Sequence, residues 1–179
     1  VEHIGISTNG TKLATLAQPL RDAGAGTVNV SLDALDPAVY RRITGGDLNS
    51  LLAGIRAAVA ADFERVKLNC VLMRGVNEQE LWPLVLFAAE HGLPLRLIEL
   101  MPVTTTDVLT EKNFMAVGEA MELLRQKDEL IPQPDWRTTD ASDRGHSFAS
   151  RPRRRDDCVA HRFPPAVFGR RRRVSSVPW

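Results

Sequence analysis

At 179 residues, with 44% hydrophobic and 25% charged side chains, the chain has the size and composition of one globular domain, or of one domain and a tail. Its two cysteines, Cys70 and Cys158, are too few and too far apart for a disulfide framework or a zinc motif, and no apolar run approaches the roughly 20 residues needed to span a bilayer. The net charge of +1 conceals nine arginines from Arg151 onward against only Asp156 and Asp157, with a mildly acidic remainder, so the total points to no class of partner.

The predicted elements alternate between two periodicities. His3–Ser7 reads as a short strand stopped by Thr8-Asn9-Gly10. Leu13, Leu16, Leu20 and Ala23 recur at helical spacing up to Gly24, and Pro19 predicts a kink within that helix. Thr27–Leu32 is the second strand. Asp36-Pro37 opens a short helix, through a capping carboxylate and a first-turn proline, which ends at Gly45-Gly46. Leu48, Leu51, Leu52, Ile55 and Val59 mark a longer helix, and Arg65–Met73 is the third strand. Asn77 with Glu80 reads as a capping box for a helix carrying Leu81, Leu84, Val85 and Ala88, closing at Gly92. Pro94–Met101 is the fourth strand, and Phe114–Leu124 a further amphipathic helix.

From Pro132 onward periodicity disappears and Pro, Arg, Ser and Asp dominate, which predicts an irregular or disordered tail. The expected division is 1–131 and 132–179. There is no signal-peptide pattern, and with so few cysteines the expected location is cytoplasmic. Val1 is not an initiator methionine and the first strand begins almost at once, so we expect sequence upstream of it.

Strand–helix alternation at this spacing predicts an α/β fold with right-handed βαβ crossovers and a parallel sheet, either open or curled into a partial barrel of four βα units. No GxGxxG follows a strand, so a dinucleotide fold has no support. The strands are polar on one side, whereas parallel strands covered by helices on both faces are apolar throughout. Val28, Val30 and Leu32 alternate with Asn29, Ser31 and Asp33; Val66, Leu68 and Cys70 alternate with Lys67 and Asn69; Glu99 and Met101 continue the parity of Leu95 and Leu97. An antiparallel sheet with a solvated face is one explanation. A barrel with a polar interior near the strand C-termini, where βα enzymes keep their sites, is the other. Lys67 in mid-strand then faces an anionic ligand or a carboxylate, with an ion pair to Glu99 or Asp33 as the purely structural alternative.

The motifs Ile6-Ser7-Thr8-Asn9-Gly10, Asn29-Val30-Ser31-Leu32-Asp33, Val66-Lys67-Leu68-Asn69, Met73-Arg74-Gly75-Val76-Asn77 and Arg96-Leu97-Ile98-Glu99-Leu100-Met101 occur in the order and spacing of one family. Over about Glu2 to Leu124 the chain resembles the GTP 3′,8-cyclases of molybdenum cofactor biosynthesis, which are radical S-adenosylmethionine enzymes. The resemblance implies a partial radical S-adenosylmethionine βα barrel and a radical cyclisation of GTP. It implies S-adenosylmethionine and 4Fe-4S clusters as cofactors, GTP as partner, and a homodimer. By position Ser7 and Lys67 are similar to the family's GTP contacts, and Ser31 and Met101 to its S-adenosylmethionine contacts, with Asn29, Asp33, Asn69 and Glu99 as supporting residues. Taken without the family, Ser7 and Ser31 are as readily explained as satisfying turn backbone, and Met101 as core.

The chain also departs from that family. The three-cysteine motif of the radical-generating cluster and the glycine-rich strand end that holds S-adenosylmethionine are absent, and Cys158 alone cannot hold the second cluster. Arg171-Arg172-Arg173-Val174-Ser175-Ser176 is similar to the family's C-terminal GTP-binding segment, which implies GTP contacts for Arg171 and Arg173, but Gly169 stands where a cysteine is expected. No metal site is therefore expected from this chain's own residues. The stretch of about Asp140 to Phe168 is unlike the family, as an out-of-frame product would be. A truncated or frame-disturbed gene product that lacks full activity is the expectation that follows, with a catalytically inactive fragment that binds nucleotide weakly as the alternative. The Arg151–Arg155 and Arg170–Arg173 clusters otherwise read as a solvated basic tail, or as a nucleic-acid contact.

Overall fold

The computed structural model describes residues 3–101, 111–128, 130–132 and 148–150. Strands β1 (Ile4–Thr8), β2 (Ala25–Ser31), β3 (Arg65–Leu72) and β4 (Leu95–Glu99) form a sheet in sequence order, and every pair is parallel. The connections carry helices α1 (Leu13–Asp22), α2 (Pro37–Thr44), α3 (Leu48–Ala60) and α4 (Leu81–Glu90), and α5 (Val117–Arg125) follows β4. The antiparallel alternative is thereby excluded, and the expectation of an α/β fold with a parallel sheet of four βα units stands.

One face of the sheet supplies the core. Val28, Val30, Leu32, Leu68, Cys70 and Leu72 are fully buried and pack with Leu51 and Ile55 of α3 and Leu84 of α4. Each such aliphatic side chain contributes roughly 1.5–3 kcal/mol through burial. The caps are those the sequence indicates: Asp36 accepts from the amides of Ala38 (2.8 Å) and Val39 (2.9 Å), and Asp47 from Ser50 (2.8 Å). Gly45 closes α2 with φ 70°, where a side chain would be strained.

The helix α1 includes the exposed Pro19, whose carbonyl accepts from Ala23 N (3.0 Å). Two expectations need correction. Asn77 and Glu80 form no capping box. A 3₁₀ turn, Glu78–Glu80, precedes α4, and both side chains are engaged in tertiary contacts described below. The segment expected to be irregular contains β6 (Phe148–Ser150), paired antiparallel with β5 (Leu130–Pro132). No helix among the described residues is long and apolar enough to cross a membrane.

Candidate functional site

Strand register brings the sequence-predicted residues together. Ser7 pairs with Asn29, and Asn29 with Lys67, so the three form one rung across β1, β2 and β3. The next rung toward the strand C-termini is Ser31, Asn69 and Arg96. Parallel strands lie about 4.8 Å apart, so each rung spans about 10 Å. The residues between these rungs, Val30 and Leu68, are buried on the helix-covered side, which sends the polar residues to the opposite face.

Lys67 is only 2% exposed. A buried ammonium costs several kcal/mol unless polar groups or a ligand compensate it, so the surroundings of Lys67 are built for charge. The Oδ1 atoms of Asn29 and Asn69 are buried and accept no hydrogen bond. Unmade buried acceptors are rare in folded proteins. Ser7 and Ser31 are exposed, and Met101, just past the end of β4, is 72% exposed.

The wall behind these rungs is held by a hydrogen-bonded brace. Asn77 is fully buried: its Oδ1 accepts from Met73 N (2.9 Å), and its Nδ2 donates to the carbonyls of Asp33 (3.0 Å) and Val71 (2.8 Å). Asp33 Oδ1 accepts the Val71 amide at 2.8 Å, and Glu80 Oε2 accepts the amides of Leu35 (2.7 Å) and Asp36 (2.9 Å). These contacts lock the segment after β2, and with it Ser31, to the end of β3. Arg74 completes the frame with a bidentate ion pair to Glu119 (2.5 and 2.6 Å) and by accepting from Asn113 through its carbonyl (3.1 Å).

Burial raises the Asp33 pKa above 3.8, and the Val71 amide only partly offsets it. The folded state therefore holds the proton more tightly than the unfolded one. The associated stabilisation is complete below the unfolded pKa and is lost as pH rises from 3.8 through the folded value. Asp33→Asn keeps an acceptor for Val71 N and removes the charge. Urea titrations should show a higher unfolding midpoint at pH 7 than wild type and a flatter pH dependence above pH 4; a lower midpoint at pH 7 counts against a desolvated carboxylate.

Glu99 requires a correction. Its register partner is Leu72, so it lies on the helix-covered side rather than with Lys67, and its Oε1 accepts the Val117 amide (2.9 Å) at the start of α5. It serves as a helix cap, which removes it as a carboxylate facing Lys67. Arg96, half-buried on the polar side, is a site residue that the sequence reading passed over; its alternation with Leu95 and Leu97 is the signal that identifies it. Arg171, Arg173 and Cys158 lie outside the described residues.

Iron ligands are a separate matter. Among the described residues no three His, Cys, Asp or Glu side chains come together for a metal ion. Cys70 is buried on the apolar side, and burial pushes its thiol pKa far up, which keeps it protonated. The described residues do not fit an iron–sulfur cluster.

The Radical SAM superfamily pattern matches residues 1–88. A GTP 3′,8-cyclase of Xanthomonas axonopodis pv. citri is 38% identical over 151 residues, which cover 83% of this chain and 45% of that protein. GTP 3′,8-cyclase 1 of Pseudomonas aeruginosa is 42% identical over 127 residues, 70% of this chain and 39% of that protein. The Limosilactobacillus fermentum GTP 3′,8-cyclase is 38% identical over 127 residues, 70% of this chain and 38% of that protein. A solved structure of TYW1 with a lysine-pyruvate adduct bound gives a TM-score of 0.46 at 19% identity, covering 72% of this chain and 43% of that one. The chain spans less than half the length of the curated relatives it matches. Over the part covered by these matches, the chain is similar to the radical SAM superfamily and to the GTP 3′,8-cyclases.

Proposed function

We propose that this chain supplies a nucleotide-binding wall of a GTP 3′,8-cyclase, a cytoplasmic enzyme of molybdenum cofactor biosynthesis. The reaction is the radical S-adenosylmethionine-dependent conversion of GTP to (8S)-3′,8-cyclo-7,8-dihydroguanosine 5′-triphosphate. The observation that carries the proposal is Lys67, an ammonium buried in mid-strand on a polar rung with Ser7 and Asn29. A triphosphate supplies the charge that such a site favours, and Arg96 on the next rung extends the cationic surface.

In this reading Ser7 and Lys67 hold GTP, joined by Arg171 and Arg173 from the tail, residues 132–179, which is a remnant of the family's C-terminal cluster region. Ser31 and Met101 hold S-adenosylmethionine at the exposed strand ends. Asn29, Asp33 and Asn69 support the wall. The family's 4Fe-4S clusters, which cleave S-adenosylmethionine and help hold GTP, have no ligands among the described residues. These residues bind and orient, and binding without turnover is the activity to test in the chain by itself. The homodimer implied by the family is part of the same reading.

Calorimetry with GTP tests it. Wild-type chain should bind, and Lys67→Ala should weaken binding roughly 30-fold, the scale of one lost charge-assisted contact. No binding by wild type, or equal binding by the variant, would remove the proposal.

A further inference from the structure

We propose that Arg74 and Glu119 are positioning residues that fix the end of β4, and so set the distance from Met101 to Ser31. This rests on Ser31 and Met101 holding S-adenosylmethionine. Strands β2 and β4 are not neighbours, because β3 lies between them. A ligand touching both strand ends therefore spans two strand spacings, about 10 Å. Tight binding at both ends needs that span held to within about 0.5 Å.

The sheet fixes only one of the two. Ser31 lies inside the backbone ladder, paired with Asn69. Met101 lies two residues beyond Glu99, the last residue of β4 in register with β3. Its place depends on side chains that tie the β4 end to α5. Glu99 Oε1 accepts the amide of Val117, the first residue of α5, at 2.9 Å. Glu119, in the same helical turn, accepts from both terminal nitrogens of Arg74 at 2.5 and 2.6 Å. Arg74 Nε also donates to the Phe114 carbonyl at 3.1 Å. The guanidinium thus grips the approach to α5 and its first turn, and that turn grips the β4 end. Arg74 is itself anchored two residues past β3, in the turn whose Asn77 donates to the Asp33 carbonyl at the β2 end (3.0 Å).

The chemistry suits the role. A guanidinium fork fixes direction as well as distance, which a single ammonium contact does not. The pair is solvent-exposed and joins residues 45 apart in sequence. An ion pair so exposed adds little to global stability, so its bidentate geometry matters for what it aligns.

Calorimetry on the full chain, with S-adenosylmethionine and GTP titrated separately, tests this. Arg74→Ala and Glu119→Ala should each weaken S-adenosylmethionine binding roughly 3- to 10-fold and leave GTP affinity within about 2-fold of wild type. The double variant should bind no more weakly than Arg74→Ala, since the second substitution removes a contact already broken. The Arg74 amide still donates to the Asn113 carbonyl (2.7 Å) in every variant, so urea midpoints should stay close to wild type. Unchanged S-adenosylmethionine affinity in both single variants overturns the assignment. So do additive losses in the double variant, or parallel losses of both ligands with a lowered midpoint, which belong to a general structural role. Wild type that binds GTP but not S-adenosylmethionine removes the Ser31 and Met101 reading and this inference with it, while the Lys67 site stands.

Discussion

Asn77→Leu is expected to destabilise the chain by about 4 kcal/mol, the largest single-residue effect anticipated here. The side chain is 0% exposed and serves three backbone groups: the Met73 amide and the carbonyls of Asp33 and Val71. Removing it strands one donor and two acceptors where water cannot replace it, at about 1–3 kcal/mol for each group. Leucine has the same branched heavy-atom skeleton and leaves no cavity, so the loss reports the missing hydrogen bonds together with the added bulk of two methyl groups. Denaturant unfolding gives the magnitude, and native-state hydrogen exchange gives the location: Met73 N should lose protection well before the amides of β2. A change below 1 kcal/mol would show that water or relaxation repairs the brace.

Gly54→Ala comes next, at about 2–3 kcal/mol. Gly54 lies in α3 where β1 turns into α1, and a Cβ there would stand 2.2 Å from the Gly10 carbonyl oxygen and 3.1 Å from Leu13 Cβ. Backbone cannot swing aside as a side-chain tip can. Gly10 is itself pinned at φ 75°, with Leu51 Cδ1 at 2.3 Å from its own Cβ position. Alanine's helix propensity returns only about 1 kcal/mol of the steric cost. Gly118 in α5 is the control, because nothing lies within 4 Å of its Cβ position and Gly118→Ala should stabilise. Thermal unfolding of the two variants should move in opposite directions. The Gly54 variant should also bind GTP less well, because Gly10 ends the turn that carries β1, and Ser7 with it, into the site.

The sheet was legible because its signals are local and repeated. Alternation in β2 and β3 gave both faces, and register then placed Ser7, Asn29 and Lys67 together without adjustment. What was hidden depends on distant partners. Asn77 and Glu80 have the spacing of a capping box, but that spacing is equally compatible with side chains reaching the β2 end 44 and 45 residues away. Glu99 was drawn toward Lys67 by opposite charge, although its parity with Leu95 and Leu97 already placed it on the other face. Arg96 was overlooked because in a mostly apolar strand a lone cation resembles a solvated edge. The orphaned oxygens of Asn29 and Asn69 are invisible in sequence, since an unmade bond leaves no compositional trace.

The two-sided character of β3 also constrains how this chain can diverge. With side chains alternating faces, inserting or deleting one residue between Arg65 and Leu72 reverses every position beyond the change. Lys67 would move under the helices and Leu68 into the ligand face, so one event would spoil both the core and the site. Point substitutions are free of that linkage. Among related genes, length changes should therefore collect in the connections between strands, while the strands keep a fixed residue count and change only by replacement.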